Sequence, residues 1–217
     1  MEPECNQLIQ ENLSKNLADN DEYPAMLHLH QRCVSMLGNL WGAGAVEGKK
    51  EQAIGTATTG SSEAIMLGGL AMKRRWVEKR LALGKDTLKP NVLMGANAQV
   101  ALEKFARYFD VEARIIPVST ESKYCLDLTK IKEYLDENTI GIFVILGSTY
   151  TGHYEPVEKV AELLDEYEKE TGLDIPIHVD GASGAFFCPF TTPSVKWDFR
   201  IPRVKSINSY VSPNVSC

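Results

Sequence analysis

The sequence predicts an α/β fold, a mostly parallel sheet with helices on both faces, and three observations predict it. From about residue 53 onward, short apolar strands alternate with helix-length runs, the order that enforces parallel pairing through right-handed crossovers. The run Ile140-Gly141-Ile142-Phe143-Val144-Ile145-Leu146 carries no polar side chain, as a strand covered on both faces must. A Gly/Thr/Ser-rich loop leads straight into a long helical pattern, and in open sheets of this kind ligands sit outside the carboxyl ends of the strands, among such loops.

Residues 1–45 read as an N-terminal helical segment. Leu8, Ile9, Leu13 and Leu17 are spaced as one apolar stripe, and Met26, Leu29, Val34, Leu37 and Leu40 as a second, with the polar turn Asp19–Pro24 between them. The main α/β domain, 46–207, opens with the small-residue loop and a helix through Lys85. There follow a strand Asn91–Met94, a helix Val100–Phe109, a strand Ala113–Val118, a helix Leu128–Glu137 and the strand Ile140–Leu146. A helix Val157–Thr171 and a strand Ile175–Asp180 complete the alternation. Lys73, Arg74, Arg75, Lys79 and Arg80 read as the solvated face of the long helix, with Trp76 partly buried.

With 217 residues, 44% hydrophobic and 24% charged, the chain can bury one sizeable core. Its 23 basic and 29 acidic residues leave a net charge of −6 and no basic stripe, which argues against a nucleic-acid partner. The five cysteines lack C-x-x-C spacing, so neither a disulfide framework nor a metal site is expected. No apolar run reaches the roughly 20 residues of a membrane span, and the N-terminus lacks signal-peptide character. A cytoplasmic protein with reduced thiols is the expectation.

Three constellations could carry chemistry. In Gly55–Ala64 the first turn of the following helix offers unpaired backbone N–H groups, and Ser61 and Ser62 add hydroxyls, a combination suited to a phosphate dianion. A plain capped helix with Ser61 at the N-cap would read the same way. In Ile175–Gly184 an apolar strand ends in an acid, with His178 and Asp180 on one face. An acid so placed can pair with the protonated nitrogen of a pyridoxal phosphate (PLP) ring; it can equally cap the next turn beside a core histidine. Gly147–Tyr154 is a hydroxyl-bearing loop after the most apolar strand, and alone it is an ordinary turn.

Together the residues resemble a known family. GSSEA at 60–64, NAQVALEKFARYF at 97–109, TYTG at 149–152, HVDGASG at 178–184 and WDFRIPRVKSI at 197–207 resemble glutamate decarboxylase, of the group II PLP-dependent decarboxylases. The similarity runs from about Glu2 to Ile207. It implies the large domain of the aspartate-aminotransferase-like (fold type I) architecture, incomplete here, with PLP as cofactor. It further implies L-glutamate as substrate, 4-aminobutyrate and carbon dioxide as products, and a homo-oligomer. By the same resemblance Ser61 and Ser62 hold the cofactor phosphate, Gln99 stacks on the ring, Thr149 lies beside it and Asp180 pairs with the ring nitrogen. Asn16 and Asp19 become substrate contacts at a subunit interface.

The departures from the family carry expectations of their own. Gly181 stands for the usual alanine and Leu102 for a frequent aromatic, changes expected to loosen packing. After Ile207 the family continues into S-x-S-G-H-K, whose lysine forms the Schiff base with PLP, whereas here Ser212 falls in register with the histidine and Pro213 with the lysine. Lys205 is no substitute, because the match holds on both sides of it. Residues 208–217 therefore read as a divergent tail. The chain is expected to be truncated at both ends, without a catalytic lysine and inactive; the alternative is a non-catalytic PLP-binding or subunit-interaction protein.

Overall fold

In a computed structural model of the chain, the structure describes residues 2–43 and 54–210. These fall into two compact units, one up to Ala57 and the other Thr58–Tyr210. Pro213 and Ser212 lie outside the described residues. No helix among the described residues is long and apolar enough to cross a membrane.

The first unit holds α1 (Pro3–Asn12) and α2 (Pro24–Leu40), each with proline in its first turn, where the missing N–H costs no hydrogen bond. Because α1 stops at Asn12, Leu13 and Leu17 fall outside it and the expected four-residue stripe does not form. Polar side chains compete for the backbone here: the Asn12 amide donates to the Leu8 carbonyl, and Asn16 Oδ1 accepts from Ala18 N–H. Leu8, Ile9, Leu13 and Leu17 are all exposed.

The second unit is a five-stranded, wholly parallel sheet in the order β2-β1-β3-β4-β5. Its strands are β1 (Asn91–Gly95), β2 (Glu112–Ile116), β3 (Thr139–Ile145), β4 (Ile177–Asp180) and β5 (Val204–Asn208). The helices are α3 (Ser61–Ala82), α4 (Val100–Tyr108), the short α5 (Ile131–Tyr134), α6 (Val157–Thr171) and the short α7 (Cys188–Thr191). The step from β1 to β2 through α4 and the step from β3 to β4 through α6 run in opposite directions along the sheet. Right-handed crossovers then place α4 and α6 on opposite faces. The strand order reverses between β1 and β3, which marks where a ligand crevice should open.

Packing follows burial. Every residue of β3 is buried, as its unbroken apolar run requires. On one face Ile65, Met72 and Trp76 of α3 join Leu102 and Phe105 of α4, Val92, Met94, Ile140 and Phe143 in one core. Leu102 is fully buried in it.

Several elements differ from their sequence-based bounds, each for a local reason. α3 ends at Ala82, ahead of Gly84 in a left-handed conformation (φ 68°). Its basic face is not uniformly solvated: Arg80 is buried, lies 5.3 Å from the Trp76 ring and donates to the Asp86 carbonyl, while Lys73 donates to the carbonyl of Phe109. Trp76 itself is buried. The stretch 128–137 forms only a 3₁₀ turn and α5, because Asp136 is drawn into bonds with Asn91 (2.8 Å) and Arg114 (2.7 Å). β2 stops before Pro117, and β4 starts after Pro176, residues that cannot donate to a ladder. β5 pairs Asn208 with Asp180, so the sheet continues into the first residue of the segment read as a tail.

Candidate cofactor site

The carboxyl ends of β1, β3 and β4 and the amino end of α3 meet at one cavity of about 210 Å³. Ser61, Ser62, Gln99, Thr149 and Asp180 all line it, with Ile65, Asn97, Ile145, Gly147, Ala182 and Ser183. Asn16 and Asp19 belong to the N-terminal unit, where each accepts a turn hydrogen bond, from Ala18 N–H and Glu22 N–H respectively.

Gly60, not Ser61, is the N-cap of α3, and no side chain caps the helix. Ser61 and Ser62 are its first two helical residues, so their hydroxyls stay free of capping duty beside amides that lack intrahelical acceptors. Glu63, which could oppose an anion, is turned back onto Thr59, accepting from its N–H (2.6 Å) and hydroxyl (2.9 Å). Those two bonds, the backbone one first, hold its carboxyl below the usual range.

After β1 the chain turns through Asn97 to Gln99, whose side-chain oxygen accepts from Ala101 N–H at 2.6 Å and caps α4. After β3, Gly147 takes a φ of 91°, and a Cβ there would meet Gly184 N at 3.1 Å, so the turn to Thr149 requires glycine. Ser148 closes that loop by accepting from Tyr150 N–H through its hydroxyl and from Gly152 N–H through its carbonyl.

Asp180 is buried at the end of β4, and its Oδ1 accepts from Asn208 Nδ2 at 2.9 Å and Ala182 N–H at 3.1 Å. His178, two residues earlier, places Nε2 2.8 Å from Asn208 Oδ1 and Nδ1 2.7 Å from Ser206 Oγ. Its ring meets Phe143 edge-on at 5.2 Å and presses against α3 at Gly68, where a Cβ would approach the ring to 2.6 Å. Burial pushes the His178 pKa down, against the opposing pull of Asn208 and of the Asp180 charge. Gly181 lies in close contact, not loose packing: a Cβ there would fall 2.7 Å from Ala185 Cβ and 3.0 Å from the Asn208 carbonyl oxygen.

The sequence reading missed Glu155. It is buried beneath the site, accepting from Asn97 Nδ2 (2.9 Å), Leu126 N–H (2.9 Å) and Ile145 N–H (2.7 Å). Burial raises its pKa; those three donors oppose the rise and the neighbouring Asp180 adds to it. Asn208 and Ser206 were missed too, although alternation along β5 and parallel pairing with β4 align Ser206 with His178 and Asn208 with Asp180. Asn97 was missed as well; its Oδ1 is buried with no hydrogen-bond partner.

The donor set fits a phosphorylated pyridine. A helix amino terminus with two hydroxyls suits a dianion, a fixed planar amide suits a ring face, and Asp180 is a buried acid bonded through neutral donors. Among the described residues no cationic side chain pairs with Asp180, so a protonated ring nitrogen would supply the missing counter-charge.

The Pyridoxal-dependent decarboxylase conserved domain matches residues 5–214 of the chain. The chain is 54% identical over 218 aligned residues to glutamate decarboxylase of Saccharomyces cerevisiae, covering 95% of this chain and 37% of that protein. It is 52% identical to glutamate decarboxylase of Petunia hybrida, over 96% of this chain and 41% of that one. The solved structure of Lactobacillus brevis glutamate decarboxylase superposes with a TM-score of 0.90 at 40% identity, covering 97% of this chain and 47% of the other. The chain thus spans about two fifths of the length of the curated relatives it matches.

Proposed function

Because the chain belongs to the pyridoxal-dependent decarboxylase family, we propose that its cavity binds pyridoxal 5′-phosphate and that it serves the decarboxylation of L-glutamate to 4-aminobutyrate and carbon dioxide. The observation that carries this reading is the convergence of Ser61, Ser62, Gln99, Thr149 and Asp180, from four separate segments, on one cavity. When bound, the cofactor supplies an electron sink for the carbanion left by a departing carboxylate. The chain's own groups would bind and orient it: Ser61, Ser62 and the α3 amides would hold the phosphate, with Gln99 and Thr149 beside the ring. Asp180, with Oδ1 committed to two protein donors, would hold a proton on the ring nitrogen. Asn16 and Asp19 stay substrate-contact candidates of the N-terminal unit.

By the resemblance in sequence, Pro213, which has no amine, would fall in register with the family's cofactor-bearing lysine. We therefore read this chain as holding the cofactor without a covalent link and turning over little glutamate by itself. The second reading is a non-catalytic PLP-binding protein that pairs with other subunits in the cytoplasm. Leu8, Ile9, Leu13, Leu29 and Met36 of the N-terminal unit are exposed apolar side chains that such pairing would cover.

Isothermal titration with PLP and with unphosphorylated pyridoxal tests the site. PLP should bind more tightly, and Ser61→Ala with Ser62→Ala should weaken it by roughly 1.5–3 kcal/mol per bond lost to the charged group. Equal affinities for the two ligands would sink the assignment. Carbon dioxide release from labelled glutamate, beside a complete decarboxylase, separates the two readings.

A further inference from the structure

We propose that Ser206, His178 and Asn208 form a hydrogen-bond chain of fixed direction ending on Asp180, and act as positioning residues for it, with the His178 proton on Nε2. The purpose of the chain rests on the cofactor reading above; the direction of its bonds does not.

The direction follows from what each group can donate. A carboxylate only accepts, so the Asn208 atom 2.9 Å from Asp180 Oδ1 is the donor, Nδ2, beside the N–H of Ala182. That fixes the amide, and Oδ1 of Asn208 faces His178 Nε2 at 2.8 Å. A carbonyl oxygen only accepts, so Nε2 carries a hydrogen. His178 is 1% exposed, and such burial disfavours a doubly protonated imidazolium. Nδ1 is then bare and takes the hydrogen of the Ser206 hydroxyl at 2.7 Å. Every donor thus points the same way, from Ser206 through His178 and Asn208 to Asp180, and aligned hydrogen bonds polarise one another.

The arrangement has a chemical consequence. The chain is neutral along its length, so it holds the carboxylate in place without supplying a counter-charge. An imidazolium at His178 would satisfy part of the Asp180 charge and weaken its hold on a cationic ring nitrogen; a neutral imidazole leaves that attraction intact. The sheet builds this from register alone, with His178 opposite Ser206 and Asp180 opposite Asn208 on parallel strands.

Two measurements test it. Two-bond proton–nitrogen correlation spectra of the full chain labelled with ¹⁵N-histidine should show one buried ring with a protonated Nε2 and a bare Nδ1, before any cofactor is added. A proton on Nδ1 would overturn the direction. For the positioning role, Asn208→Leu should lower PLP affinity about tenfold (about 1.4 kcal/mol) and shift the absorption of bound PLP toward that of an unprotonated ring. Ser206→Ala should cause a smaller loss, and Ser206→Thr, which keeps the hydroxyl, should restore affinity and spectrum. An unchanged spectrum and affinity in folded Asn208→Leu would overturn the role. If that variant does not fold, the Ser206 pair decides, and identical behaviour of Ala and Thr overturns it. If the unmodified chain binds no PLP, the cofactor reading falls and the purpose with it, while the spectra still decide the direction of the chain.

Discussion

Glu155 ties three segments to one carboxylate: the turn carrying Asn97, the backbone at Leu126 and the end of β3 at Ile145. Glu155→Gln would turn an NH₂ toward one of these N–H donors and leave it unsatisfied. The variant should lose roughly 1–3 kcal/mol of stability at neutral pH despite removing a buried charge, measured by urea unfolding. An unchanged or raised midpoint would mean that relief of the buried charge wins. His178 gives a pH prediction. Its folded pKa lies below its ordinary value of 6.5, so its contribution is fully present above that value and is lost as pH falls, when only the unfolded chain takes up the proton. As pH falls through 6.5 the native chain should lose more stability than His178→Gln does; equal losses would place a charged His178 in the folded state. At this scale legibility depended on neighbours in sequence. Asp180 ends an apolar strand, so its place at the carboxyl edge of the sheet could be read from its surroundings, but Glu155 follows an unremarkable Gly-His-Tyr and its partners lie 10, 29 and 58 residues away.

Among elements, α3 serves two ends: its amino terminus opens the cavity, and its Gly68 lets the His178 ring press against the helix. Alanine at Gly68 would gain about 1 kcal/mol of helix propensity. It would also place a Cβ 2.6 Å from that ring, and such overpacking typically costs roughly 1–3 kcal/mol. Gly68→Ala should therefore be net destabilising in urea unfolding and should move the His178 resonances; a more stable variant with unmoved resonances would show that the ring yields freely. Elements with strong patterns, β3 and α6, were read from the sequence almost to the residue. Weaker limits failed where polar side chains claimed backbone partners, as Asn12 does at the end of α1 and Asp136 does after α5. Periodicity registers which face is apolar and is blind to that competition.

For the molecule as a whole, alternation of strand and helix was enough to give a parallel α/β sheet, but not its order, because periodicity names elements and not their neighbours. The reversal between β1 and β3, which opens the cavity, became visible only with β2 at one edge and β5 at the other. Burial grades the protection expected in hydrogen exchange. Amides of β3, buried throughout, should exchange slowest, those of the part-exposed β2 faster, and α1, a ten-residue helix with no buried residue, near the rate of an open chain. Strong protection of α1 would reveal a partner on it. The bond from Asn208 to Asp180 also sets a timetable. Asp180 precedes Asn208 by 28 residues, so a ribosome delivers the acid well before the strand that steadies it. Until β5 docks, β4 is an outer strand and its carboxylate is held by Ala182 alone of these two donors. The crevice at the carboxyl edge of the sheet is thus finished only when β5 arrives, after the start of α3 and the turn at Gln99 have been made, and until then the acid waits with one of its two fixed donors.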